Sequence, residues 1–204
     1  MKFIRKIPQE DCGRTKQLSE DGWIKLKEPK TVEAAILWAL PLSVLLMLLS
    51  CIWCYFLYPS FQALVKGETE FMIEFSIGFK SLLYVAGVIA FLLVHELIHA
   101  LFIPNVWRSD QTFWGFNGVF GFVYTQEMIS KGRFLLISVM PLVVLSFIFP
   151  FIMSAAGRMN GYIMFLSVLN AGGACVDFLN IILVSIQVPG SGKIVSNGLV
   201  TFYQ

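Results

Sequence analysis

Residues 81–103 read SLLYVAGVIAFLLVHELIHALFI, an apolar run whose only charged or imidazole side chains are His95, Glu96 and His99. A helix rising 1.5 Å per residue needs about 20 apolar residues to cross the hydrocarbon core of a bilayer. The run is long enough to do so. An ionisable triplet inside a span is costly and by default marks a functional site, so one stretch predicts both the architecture and the place where chemistry happens.

Three further stretches have the same character. Residues 34–57 are uncharged and follow Pro29 and Thr31, a helix-start signal. Residues 134–157 are uncharged and carry Pro141 and Pro150, which membrane helices tolerate as kinks. Residues 160–188 are interrupted by one charge, Asp177. Between the second and third spans, 112–125 alternates aromatic and small residues around Asn117-Gly118, a strong two-residue hairpin signal. The expected fold is an all-α membrane protein of four transmembrane helices with a short β-hairpin between the second and third. The domains expected are a polar arm at 1–31, a helical domain at 32–188 and a tail at 189–204, with a weaker hairpin signal at Asn197-Gly198.

Composition agrees with that architecture. The 204 residues are 57% hydrophobic and 14% charged, against roughly 45–50% and 25% in soluble domains. A net charge of +2 lacks the basic footprint of a nucleic-acid binder. The bilayer is the expected environment and nucleic acid is excluded as a partner. Met1 to Pro8 lacks the apolar core of a cleaved signal. Eight of the fifteen Lys and Arg lie in the first 31 residues. With the N-terminus inside, twelve basic residues fall on the cytoplasmic side and three outside, as the positive-inside rule requires. The expectation is a multi-pass protein of the cell membrane with both termini cytoplasmic; oligomeric state is not legible.

His95-Glu96-Leu97-Ile98-His99 has the H-E-x-x-H spacing, in which two imidazoles one turn apart grip zinc and the glutamate beside them serves as general base. The chain has only two histidines, so a third ligand must be an acid or a thiolate. Asp177 is the strongest candidate. At 1.5 Å per residue His95 and His99 lie about 12 and 6 Å above Ile103, and Asp177 about 16 Å above Val188, depths compatible within a helical turn. Asn170, Gly173, Ala174, Asp177 and Asn180 also form one polar, small-residue stripe. Glu127 is the second candidate and Asp110 a weaker one. Cys51 and Cys54, on the first helix with no second pair, read as packing residues.

The H-E-x-x-H in one span, the aromatic and glycine-rich hairpin after it and the Asn170 to Asp177 stripe two spans on resemble the bacterial multi-pass membrane proteins grouped as zincin peptidases. Those in turn look like a minimal site-2 protease core. The resemblance covers about 23–188, with Gly22 to Pro29 before the first span and Pro141 in the third. Prolines after the Asn and a Leu-Asp-Gly in the site-2 pattern are here Ala171-Gly172-Gly173 and Val176-Asp177-Phe178. The resemblance implies zinc held by His95, His99 and Asp177, Glu96 as catalytic acid and base, and Asn170 positioning substrate. The function expected is a membrane-embedded zinc metallopeptidase cutting membrane-protein or peptide substrates near the cytoplasmic side, with Glu96 activating the water on zinc. A non-proteolytic metal-binding membrane protein, an ion transporter or sensor, is the alternative; an assembly protein would not need Glu96 between the histidines.

Overall fold

A computed structural model describes residues 1–70, 78–116 and 121–204. Among the described residues four helices are long and apolar enough to cross a membrane: Val32–Leu57, Phe79–Phe102, Lys131–Ala155 and Gly161–Gln187. The first, α2, follows a short α1 (Cys12–Glu20). Thr31 caps α2, its hydroxyl accepting the Ala34 N–H at 3.2 Å. After α3 (Pro59–Val65), the second long helix is α4 (Phe79–Phe102).

The third long helix changes winding along its length. It runs as α5 (Lys131–Pro141), a π-helical stretch (Leu142–Ile148) and α6 (Phe149–Ala155). The Phe149 N–H reaches back five residues to the Val144 carbonyl. Pro150, which follows at once, lacks the N–H that regular α winding would use and disfavours a tight preceding turn. The fourth pauses at Ala174 between α7 (Gly161–Gly173) and α8 (Cys175–Gln187), which puts Asp177 in the first turn of α8. A carboxylate is favoured there by the unpaired N–H groups of a helix start.

The expectation of an all-α protein with one hairpin is corrected. The structure is mostly helical, 61%, and its described residues also form two small sheets. One has strand order β1-β3-β4 (Lys2–Phe3, Thr112–Phe116, Gly121–Thr125). β3 and β4 pair antiparallel, Thr112 opposite Thr125; Asn117 and Gly118 lie outside the described residues. The other has order β2-β7-β6-β5 (Ile24–Lys25, Val200–Tyr203, Lys193–Asn197, Ile129–Ser130). Gly198 turns β6 into β7 with φ +65°, a backbone state that glycine adopts without strain. The two-residue strands β1, β2 and β5 carry too little alternation to read, and β2 pairs with a strand more than 170 residues later.

The chain divides into two compact units. The first comprises Met1–Leu40, Glu96–Met140 and Cys175–Gln204. Its core is Leu26, Ile129, Val184, Val188 and Ile194. Within it Asn197 joins tail to arm, donating to the Asp11 carbonyl at 2.8 Å and to Thr15 Oγ1 at 3.0 Å. The second comprises Pro41–His95 and Pro141–Ala174. Its helices are tied by side chains bonded to backbone carbonyls, such as Trp53 Nε1 to Phe147 at 3.0 Å and Ser154 to Leu57 at 2.7 Å. Such bonds satisfy polar groups that lipid would not.

Candidate metal centre

α4 carries the motif near its C-terminal end, and its helical spacing sets His95 and His99 on one face, one turn apart. Asp177, in the first turn of α8, is brought to His99, and His95 stands one turn further up the same helix face. His99 Nε2 is 3.5 Å from Asp177 Oδ2. Nitrogen and oxygen ligands about 2.0–2.2 Å from a tetrahedral zinc lie about 3.3–3.5 Å apart, so that pair already has the separation the ion demands.

Hydrogen bonds fix which ring nitrogen faces the centre. His99 Nδ1 lies 2.9 Å from the Ile137 carbonyl. A carbonyl only accepts, so Nδ1 carries a proton and Nε2 is the nitrogen turned toward Asp177. His95 Nδ1 lies 2.8 Å from Asn170 Oδ1. The Asn170 amide nitrogen donates to the Pro141 carbonyl at 3.2 Å and to Ser146 Oγ at 2.9 Å. Turning the amide over would set Oδ1 against the Pro141 carbonyl, two acceptors face to face, so Oδ1 must face the imidazole and Nδ1 must donate. Each imidazole therefore turns Nδ1 to an acceptor, as metal-binding histidines generally do. Two nitrogens and a carboxylate oxygen suit zinc and leave a fourth position open.

Asn170, expected at the substrate, is 1% exposed and lies against His95. Gly121, at the start of β4, faces Glu96: a Cβ there would stand 3.0 Å from Glu96 Cγ. Glu127 receives the Ser109 hydroxyl and lines, with His99 and Asp177, a cavity of about 170 Å³ that also takes in Thr125, Ser138 and Asn180. Among the described residues Glu127 joins no group of metal-ligating side chains. Asp110 is at the surface, 3.0 Å from Lys2 Nζ, an ion pair that holds its carboxyl below the usual aspartate range. Cys51 and Cys54 belong to no metal group among the described residues. Ser146 and the Ile137 carbonyl were not singled out from the sequence. Ser146 lies five residues after Pro141, in a helix whose prolines are a visible signal of irregular winding; a backbone carbonyl leaves no signal at all.

Residues 88–191, just over half of the chain, match the model of the family described as "Putative zincin peptidase". The chain belongs to this zincin peptidase family. The matched segment runs from inside α4 past the end of α8 and so contains the motif, the hairpin, Asn170 and Asp177. Membership points to a metallopeptidase and implies zinc as the metal. No curated protein and no solved structure matches the chain, and nothing in the comparisons extends the likeness to a site-2 protease core.

Proposed function

We propose that this zincin peptidase is embedded in the cell membrane through its four long helices, with both termini cytoplasmic, and hydrolyses peptide bonds of membrane-protein or peptide substrates near the cytoplasmic side. The observation that carries the reading is the approach of His99 Nε2 to Asp177 Oδ2 at 3.5 Å, with His95 one turn away on the same helix and each Nδ1 already committed to an acceptor. These three residues would hold the ion. Bound zinc acidifies water and polarises a carbonyl.

Glu96 takes the proton of the attacking water and passes it to the departing amine. Asn170 is a positioning residue, keeping His95 in the tautomer that binds metal, and its side chain is spent on protein partners rather than on substrate. A helical substrate hides its carbonyls in i to i−4 bonds and must unwind before attack. β4 is the end strand of its sheet among the described residues and begins at Gly121 beside Glu96, so an extended peptide can add to it by main-chain pairing.

The test is zinc content and peptide cleavage of wild type, Glu96→Gln and Asp177→Ala in detergent. Wild type should hold zinc and cleave, Glu96→Gln should hold zinc without cleaving, and Asp177→Ala should lose zinc. Wild-type cleavage by Glu96→Gln would remove its assigned role. Zinc binding with no cleavage by wild type would favour the ion transporter or sensor, and full zinc retention by Asp177→Ala would pass the third position to Glu127.

A further inference from the structure

The β1-β3-β4 sheet has two unlike faces. Directly paired residues share a face, so Trp114 opposite Val123 and Phe116 opposite Gly121 lie together, with Phe3 beside Trp114. The other face holds Phe122 and Tyr124, both buried. On the first face, the β4 side is covered: Gly121 meets Glu96, and Val123 packs on Ala100, Ile103 and Val106 at the end of α4. The β3 and β1 side of that same face is open. Phe3, Trp114 and Phe116 are 54%, 46% and 53% exposed, with Phe3 edge-on to Trp114 at 5.1 Å. Trp107 and Leu101 nearby in the chain are exposed as well.

Three aromatic rings in water are an exposed apolar patch that calls for a covering partner. The basic residues around it say which. Arg5 and Lys6 follow β1 and Arg108 follows Trp107, all exposed; Asp110, two residues after Arg108, is paired with Lys2. Aromatic rings with flanking cations are the signature of the bilayer interface, rings at headgroup depth and cations toward anionic lipid. The covered half of the face abuts the end of an apolar helix long enough to span, so the open half continues at that helix end.

We infer that the Phe3, Trp114 and Phe116 face lies in the headgroup layer of the membrane and that its occupant is anionic phospholipid. The inference rests on the membrane reading above. It makes the N-terminal strand a lipid contact that steadies the hairpin at whose far edge β4 borders the catalytic glutamate.

The full chain is reconstituted in vesicles of phosphatidylglycerol, or of phosphatidylcholine, brominated near the glycerol end of the acyl chains. The emission of Trp114 and of Trp38 is taken from the difference between wild type and Trp114→Phe or Trp38→Phe. Trp38, exposed on α2, reports whether the spans are in lipid at all. The inference expects Trp114 emission to be lost to bromolipid, more in phosphatidylglycerol than in phosphatidylcholine, and spared by aqueous acrylamide. Quenching of Trp38 with none of Trp114, or acrylamide quenching of Trp114, overturns the inference and leaves the membrane reading standing. Equal bromolipid loss in both lipids overturns the anionic assignment, and absence of quenching at both tryptophans removes the membrane reading itself. A substrate or second copy on this face would protect Trp114 from acrylamide without bromolipid loss, which also overturns it.

Discussion

His95 and His99 stand one turn apart on the same helix and are held by different means. His95 donates to a side chain, Asn170, which is held in turn by Ser146 and the Pro141 carbonyl. His99 donates to a main-chain carbonyl, that of Ile137, and faces the Asp177 carboxylate. A buried side-chain network can be removed one atom at a time; a carbonyl is set by the fold of α5. The two halves of one motif should therefore differ in how mutation reaches them.

The sharpest contrast is with the residue between them. Glu96→Gln should leave zinc stoichiometry unchanged while lowering cleavage by about 10²–10⁴-fold, the range for a general base; parallel zinc and cleavage assays on one preparation read it. Next, Asn170→Ala should weaken zinc binding by roughly 10–100-fold, as loss of a hydrogen-bond partner to a metal-binding histidine does, measured by competition with a zinc chelator. Ser146→Ala removes one acceptor from Asn170. At about 1 kcal/mol for a hydrogen bond, zinc affinity should fall roughly fivefold, and a loss as large as that of Asn170→Ala would mean Ser146 does more than hold the amide. On the His99 side, Ile137→Val keeps the carbonyl and should leave zinc affinity as in wild type. A drop there equal to that of Asn170→Ala would erase the distinction between the two supports.

Much of the molecule is open to reading in the chain. The four long helices are legible because apolar runs of twenty or more residues with at most one acid are rare outside membrane spans. The H-E-x-x-H motif is legible because helical spacing alone sets its two imidazoles together. Asp177 stands out because an isolated carboxylate in an apolar run is expensive. The small sheets are harder. β1, β2 and β5 are two residues long and pair with segments distant in sequence, so neither alternation nor a local turn announces them. Asn170 is visible as polar but its partner is not, since its role follows from the π-helical stretch that sets Ser146 opposite it. The Ile137 carbonyl cannot be read because every residue has one.

The metal centre stands or falls on a zinc ion gripped by His95 and His99 through Nε2 and by Asp177 through a carboxylate oxygen. Zinc-edge X-ray absorption of the purified wild-type protein measures that shell. The expected spectrum has nitrogen and oxygen neighbours at about 2.0–2.2 Å with the outer-shell scattering of two imidazoles and no sulfur. A sulfur neighbour at about 2.3 Å, which would bring in Cys175 or another cysteine, or the signature of fewer than two imidazoles, would contradict it.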